Sequence, residues 1–151
     1  MAETDLSFIT RRIPHRPPFL WLDRVVELTE SAIRAETWLD PDLDVFSGHY
    51  PGQPIMPGVL LCESVFQAGA LLIAETATEK ELADGVPVLA RIQGARFKRP
   101  VGPGDTIAIR ARILEKVGSA WFLKGSVRQK GKMAVQVEFS CTMAKVRHDE
   151  Y

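Results

Sequence analysis

Residues 48–67, GHYPGQPIMPGVLLCESVFQ, combine a histidine, a glutamate and a glutamine with the signal for the start of a helix. His49 stands in a segment too rich in glycine and proline for regular structure. A proline–glycine pair then leads into an apolar run that carries Glu63 and Gln67. A base beside a helix N-terminus, with a carboxylic acid one to two turns inside, suits an elimination next to a carbonyl group. The pattern therefore predicts an active site.

Each of these residues has a chemical role in such a reaction. His49 is the candidate base, because a histidine with an ordinary pKa near ~6.5 accepts a proton at neutral pH. Glu63 and Gln67 share one helix face, so the amide can orient the carboxyl group. Burial would raise the pKa of Glu63 and keep it partly protonated, able to donate to a leaving hydroxyl. The unpaired N–H groups of Gly58 and Val59 at the helix start can polarise a thioester carbonyl. A structural Glu63 that only pairs with a backbone donor or an arginine stays open.

The remaining histidines and the two cysteines carry weaker signals. His15 lies between prolines and an arginine, so a packing or gating role is expected. His148 lies in a polar tail and is expected to be solvated. No pair of histidines, or of histidine and cysteine, has metal-ligand spacing, so no metal is expected. Cys62 and Cys141 sit in apolar patterns and are expected to be buried thiols rather than a disulfide.

Hydropathy patterns predict the elements that must position these residues. A helix over residues 57 to about 78 is apolar nearly all round, which is typical of a buried helix. Residues 40–54 are predicted to be a loop. Strands are predicted at 19–28, 32–38, 88–97, 107–113, 121–127 and 133–143. The order β-β-α-β-β-β-β indicates an α+β fold, a curved antiparallel sheet around one central helix, in a single domain over residues 1–151.

The composition excludes several other classes of protein. With 19 basic and 19 acidic residues the formal net charge is zero, which favours neither nucleic acid nor a membrane surface as a partner. No segment is expected to reach the ~20 apolar residues of a membrane-spanning helix. The first ten residues carry acids where a signal peptide would be basic, so the expected compartment is the cytoplasm.

Three pairs of short motifs run along the chain: IPHRPPF at 13–19 with DRV at 23–25, GHYPG at 48–52 with MPGV at 56–59, and FKRPV at 97–101 with PGD at 103–105. Together they resemble the FabZ-type 3-hydroxyacyl-acyl-carrier-protein dehydratases, which have the hot-dog fold. Glu63 and Gln67 fall where that family has its acid and its supporting amide. Tyr50 is the visible departure, in place of the commoner phenylalanine. The resemblance covers nearly the whole chain.

The resemblance implies a substrate, a set of partners and an assembly. A 3-hydroxyacyl chain on the phosphopantetheine of acyl carrier protein would be dehydrated to the trans-2-enoyl thioester in fatty acid biosynthesis, without a cofactor of the enzyme's own. The enzyme would be a homodimer with shared sites, His49 coming from one subunit and Glu63 from the other. Whether the dimers assemble further into a hexamer, as a trimer of dimers, stays open.

An acyl chain would need an apolar slot next to the site. The candidate lining residues are Phe66, Ala70 and Ile73 on the helix and Phe97 on the strand that follows it. Small side chains such as Gly69 and Ala70 would leave space that larger ones would fill. The alternative is that these residues form an ordinary packed core.

A basic cluster follows the helix, at Arg96, Lys98 and Arg99. An acidic carrier protein would be steered towards the site by such a cluster, in a salt-dependent way. The alternative is an ordinary solvated face of the protein.

Four other functions are consistent with the pattern to different degrees. One is dehydration in a specialised acyl or polyketide pathway, and another is a combined dehydratase-isomerase, whose family has aspartate at the position of Glu63. Hot-dog acyl thioesterases are a third class, but they usually lack the GHYPG loop. A fold that only binds an acyl ligand would not explain His49 and Glu63 together.

Overall fold

The computed structural model describes residues 5–145, so His148 lies outside the described residues. The elements are, in chain order, α1 (Leu6–Thr10), β1 (Arg24–Leu28), β2 (Ala32–Trp38), α2 (Asp44–Gly48), α3 (Gly58–Thr76), α4 (Glu79–Ala83), β3 (Val86–Phe97), β4 (Thr106–Val117), β5 (Ala120–Gln129) and β6 (Lys132–Ala144). Within this range the strands form one antiparallel sheet in the order β1-β2-β4-β5-β6-β3, packed against α3. The predicted α+β architecture is confirmed.

Helix α3 lies very close to the sheet because glycines occupy the points of contact. A Cβ atom on Gly69 would lie 2.8 Å from Cζ of Phe139 and 3.1 Å from a methyl group of Leu123. On the sheet side, a Cβ atom on Gly125 would overlap a methyl group of Val65. The space expected at Gly69 for an acyl chain is therefore filled by the core, and that expectation was wrong.

The burial of α3 accounts for its strongly apolar composition. The helix has 19 residues and a mean hydropathy of 1.5. By length and composition alone it could cross a membrane. The expectation that no segment would be this apolar was wrong. However, 67% of the helix window is buried inside the protein, and the core helix of a soluble protein meets the same criteria.

The first predicted strand begins later than expected. Residues 19–23 are not a strand, and β1 starts at Arg24. The Gln67 side chain on α3 pairs with the first part of this backbone, and the N–H of Asp23 donates to the carbonyl of Glu36 on β2. The N–H of Trp21 donates to Oε1 of Gln67 at 2.8 Å, and Nε2 of Gln67 donates to the carbonyl oxygen of Phe19 at 2.8 Å. The chain before β1, residues 13–23, which we call the entry segment, is thereby attached to the middle of α3.

Strand β3 forms one edge of the sheet. It pairs with β6 along one side, and within residues 5–145 its other side has no strand partner. Apolar side chains on this strand are unusually exposed, with Leu89 at 42%, Ile92 at 49% and Phe97 at 57%. A long edge strand with exposed apolar residues is a template for pairing with a second chain.

Candidate active site

The loop after α2 fixes which nitrogen of the His49 ring carries the hydrogen. The N–H of His49 donates to the carbonyl of Val45 at 3.1 Å, and the N–H of Ile55 donates back to the carbonyl of His49 at 2.8 Å. The ring atom Nδ1 lies 2.7 Å from the carbonyl oxygen of Ile55. Because a carbonyl oxygen can only accept, Nδ1 carries the hydrogen and Nε2 has a free lone pair. The Tyr50 ring stacks on the imidazole, with centroids 4.0 Å apart.

His49 lines a cavity of about 460 Å³ together with the start of α3 and the end of β3. Pro57 is the N-cap, and the first N–H groups that donate to it are those of Leu60 and Leu61. The N–H groups of Gly58 and Val59 precede these bonds and point out from the positive end of the helix dipole. A base and two backbone donors therefore share one cavity.

Gly58 is needed for the close approach of β3 to this helix start. A Cβ atom on Gly58 would lie 2.7 Å from both Cδ1 and Cε1 of Phe97. The Phe97 ring, although more than half exposed, thus packs directly on the backbone that carries the two donors.

Glu63 lies further along α3, in a mostly buried position. Its side chain is 21% exposed, and Nε2 of the fully buried Gln67 donates to its Oε1 at 3.1 Å. Burial raises the pKa of Glu63, and the bond from Gln67 opposes that shift only in part. The carboxyl group therefore keeps its proton to a higher pH than an exposed glutamate does.

His15 also belongs to this cluster, although its sequence position predicted a packing or gating role. Its Nε2 lies 3.6 Å from Oε1 of Glu63. Burial, and then the charge of Arg16, lowers the pKa of His15. The contact joins two segments far apart in sequence, so no local spacing could have revealed it.

The two cysteines are free and buried, as predicted. Burial, and then the nearby Glu63 carboxylate, raises the pKa of the Cys141 thiol to about 12. Burial raises the pKa of Cys62 as well. Since the thiolate is the reactive form, neither residue is suited to nucleophilic chemistry.

The predicted site residues fall into separate groups within one protomer. His49, Gly58, Val59 and Phe97 line the cavity, while Glu63 is not among its lining residues. The other proposed tunnel residues lie inside the core: Phe66, Ala70 and Ile73 are 8%, 5% and 0% exposed.

The basic cluster is also divided. Lys98 and Arg99 line the same cavity as His49, whereas Arg96 lines another cavity with Lys124 and Glu138. Two of the three cations are therefore adjacent to the candidate base, and the third faces elsewhere.

Over residues 5–145, no three histidine, cysteine, aspartate or glutamate side chains come together in a way that could hold a metal ion.

Solved structures share the curved sheet around a central helix, the hot-dog fold. The dehydratase heterocomplex ApeI:P from Xenorhabdus doucetiae superposes with a TM-score of 0.69 at 18% identity, covering 91% of each chain. The PaaI protein of the E. coli phenylacetic acid degradation operon superposes with a TM-score of 0.63 at 13% identity, covering 78% of this chain and 80% of that one. These identities are low, so the likeness concerns the fold, and the predicted hot-dog class is confirmed.

Sequence comparison defines the family within this fold. A family model described as a FabA-like domain matches residues 13–138. Proteins named 3-hydroxyacyl-[acyl-carrier-protein] dehydratase FabZ are similar over most of their length. The one from Anaeromyxobacter dehalogenans is 39% identical, covering 93% of this chain and 90% of that protein. The one from Verminephrobacter eiseniae is 38% identical, covering 94% and 95%. The chain belongs to the FabA-like family, and within it to the FabZ-type dehydratases.

Proposed function

We propose that this protein dehydrates (3R)-3-hydroxyacyl-acyl-carrier-protein to the trans-2-enoyl product in fatty acid biosynthesis. One observation supports this most directly. The carbonyl of Ile55 fixes the His49 tautomer, which leaves Nε2 unprotonated in the cavity that the helix start also lines. An elimination next to a thioester needs a neutral base and carbonyl-binding donors in one place.

The reaction follows from these positions. Nε2 of His49 removes a proton from C2 of the substrate, while the N–H groups of Gly58 and Val59 bind the thioester oxygen and stabilise the charge that develops there. Glu63 gives its proton to the 3-hydroxyl group. The C3–O bond then breaks, water leaves, and the C2–C3 double bond forms. Transfer of the proton from the His49 imidazolium to the Glu63 carboxylate, through solvent, restores the resting enzyme.

A dimer would complete this site. Glu63 does not line the His49 cavity of its own protomer, and the exposed apolar edge of β3 offers a surface for a second copy. Pairing two β3 strands would join the sheets and let His49 of one subunit act with Glu63 of the other. A trimer of such dimers and a cytoplasmic location stay predictions.

The acidic carrier protein would approach the His49 cavity. Lys98 and Arg99 line that cavity and would attract it, while a role for Arg96 is supported only by its nearness in sequence. The thioester carried on phosphopantetheine would pass Phe97, and its acyl tail would extend towards Phe66, Ala70 and Ile73.

The proposal is tested with purified protein and a 3-hydroxyacyl thioester on acyl carrier protein. Enoyl absorbance and free thiol are followed in the same reaction. Enoyl product without thiol release is expected, and His49→Ala should lower its rate by at least ~10²-fold while the melting temperature is kept. Thiol release without enoyl product would show a thioesterase instead, and near-full activity of His49→Ala would exclude the mechanism.

A further inference from the structure

His15 contacts the catalytic carboxyl group from a segment that is fixed by its own hydrogen bonds. The Arg16 guanidinium donates to the carbonyls of Thr10, Ile13 and His15, at 2.8, 2.8 and 2.7 Å. The imidazole is three quarters buried, with Nε2 3.6 Å from Oε1 of Glu63. Its Nδ1 is buried without a hydrogen-bond partner in the part of the chain that the structure describes.

The hydrogen bonds around Gln67 determine which Glu63 oxygen can carry a proton. The Trp21 N–H donates to the Gln67 oxygen, so the amide nitrogen must face the other way. That nitrogen donates to the carbonyl of Phe19 and to Oε1 of Glu63. Oε1 is therefore an acceptor, and the acid proton of Glu63 belongs on Oε2.

The same reasoning assigns the His15 tautomer. An unprotonated Nε2 would direct its lone pair at Oε1, an oxygen that already acts as an acceptor. A hydrogen on Nε2 removes this repulsion and leaves Nδ1 as a buried acceptor, which proteins tolerate better than a buried unpaired N–H. The separation of 3.6 Å is longer than a hydrogen bond, and catalytic hydrogen bonds in unliganded sites commonly tighten when substrate binds.

We propose that His15 is a positioning residue for Glu63: its neutral ring donates from Nε2 to Oε1, beside Gln67, and so holds the acid proton on Oε2, towards the substrate hydroxyl. This inference rests on the proposed function. The charged or titratable groups around this contact are Glu63 on α3, Arg16 on the entry segment and Cys141 on β6, whose thiol responds to the Glu63 charge.

Two variants separate positioning from packing. His15→Gln can place an amide N–H where Nε2 was, and His15→Met fills similar space without a donor. We expect His15→Met to lose at least about 10-fold in kcat with KM little changed, since slight misplacement of a catalytic group costs this much or more. His15→Gln should keep most of the parent kcat. Equal kcat values for the two variants, whether high or low, would overturn the proposal.

The pH profile adds a readout that packing alone would not move. A donor to Oε1 stabilises the carboxylate more than the acid, so its loss raises the pKa of Glu63. The alkaline limb of kcat should therefore move to higher pH in His15→Met and stay in place in His15→Gln. The acidic limb should stay in place in both variants. An unmoved alkaline limb in a folded His15→Met protein would contradict the role.

A spectroscopic test does not depend on activity or on the Met variant folding. In protein with ¹⁵N-labelled histidine at neutral pH, His15 should show the neutral form with hydrogen on Nε2, and His49 the neutral form with hydrogen on Nδ1. The signal lost in His15→Gln assigns the residue. A His15 hydrogen on Nδ1, or an imidazolium, would overturn the proposal. A correct tautomer in a protein without dehydratase activity would instead reject the proposed function alone.

Discussion

The proposed reaction needs a neutral His49 and a protonated Glu63 at the same pH. An ordinary glutamate loses its proton near ~4.3 and an ordinary histidine near ~6.5, so an exposed pair would rarely combine a neutral base with a neutral acid. The backbone around His49 directs its free nitrogen into the cavity, and burial raises the pKa of Glu63. The raised pKa of Glu63 thereby widens the pH range over which the base is neutral and the acid still holds its proton.

Glu63→Gln should lower kcat by at least ~10²-fold and at the same time stabilise the protein at neutral pH. Because the folded pKa of Glu63 is raised above its unfolded value, the parent loses stability as pH rises from the ordinary glutamate range through the raised folded pKa. The glutamine variant has no such loss. Melting curves should nearly coincide below pH ~4 and separate in favour of the variant at neutral pH.

Glu75→Gln is the matched control on the same helix. Glu75 is 38% exposed and paired with Arg12, and such exposed pairs contribute only about 0–1 kcal/mol. The control should keep activity and should be no more stable than the parent. A Glu63→Gln protein that is less stable than the parent at neutral pH would show that Glu63 pairs with a group that outweighs its burial.

The site could be predicted from sequence only where its members are close along the chain. His49, Glu63 and Gln67 fall within one stretch, and helix spacing relates the last two directly. His15 could not be placed, because its contact with Glu63 depends on how the entry segment crosses α3. That crossing depends on hydrogen bonds between the backbone of Phe19 and Trp21 and the side chain of Gln67. Such bonds do not produce a periodic pattern in the sequence.

At the scale of elements, the start of α3 and the end of β3 depend on each other. Gly58→Ala would place a methyl group 2.7 Å from two atoms of the Phe97 ring. The ring or the helix start must move, so kcat/KM should fall by about 10- to 100-fold, as misplacement of donors by an ångström does. Because Phe97 is largely exposed, the melting temperature should change little.

A second substitution identifies the cause of this effect. In a Phe97→Ala background, Gly58→Ala should have little further effect, because its steric partner is gone. Gly102→Ala is the control, since a Cβ atom there would meet nothing within 4 Å. Equal losses from Gly58→Ala with and without Phe97 would mean that the ring is not what the methyl group displaces.

Long periodic elements were predicted well and short ones were not. Helix α3 and strands β4, β5 and β6 carry clear patterns, because the helix is buried nearly all round and each of these strands buries one face along part of its length. The five-residue helices α1, α2 and α4 are too short for a helical period to show, and α2 falls in the predicted loop. Residues 19–23 resemble a strand in the sequence because they are mostly apolar, but the backbone of Phe19 and Trp21 bonds to the Gln67 side chain rather than to a neighbouring strand.

Ala70→Phe tests the acyl slot. If Ala70 lines it, the variant should accept shorter chains than the parent and retain activity on a four-carbon substrate. Gly69→Ala is the matched packing control, because its methyl group would meet Phe139 and Leu123. That variant should lose about 1–3 kcal/mol of stability with no change in chain-length preference. The test is a chain-length series together with melting curves. If Ala70→Phe loses stability in the same way and its activity falls equally on all chain lengths, Ala70 belongs to the core.

At the scale of the whole molecule, a shared site can be tested by mixing subunits. Neither His49→Ala nor Glu63→Gln should be active alone. In a mixed dimer one site would carry both substitutions and the other neither, so an equal mixture after subunit exchange should regain about a quarter of the parent activity. No recovery, once mixed dimers are detected by mass spectrometry, would indicate a site within one chain.

Charge reversal tests carrier recognition on the outer surface. Lys98→Glu with Arg99→Glu should raise KM for the carrier-bound substrate by about 10-fold or more at low salt, and spare a small thioester analogue. Arg96→Glu shows whether the contact extends to the neighbouring cavity. Lys80→Glu is the control, because Lys80 lies on α4, beyond the opposite end of α3 from the His49 cavity. An equal loss on both substrates would assign Lys98 and Arg99 a structural role.

The position of α3 in the chain order also matters during protein synthesis. This apolar helix is complete by Thr76, but strands β4, β5 and β6, which cover much of it, follow only at residues 106–144. On the ribosome, a long hydrophobic segment therefore emerges well before the strands that will shield it. Nascent chains at this stage expose the kind of surface that chaperones bind and that drives aggregation. Slow translation between Thr76 and Thr106 would lengthen that exposure, and rapid completion of β6 would end it.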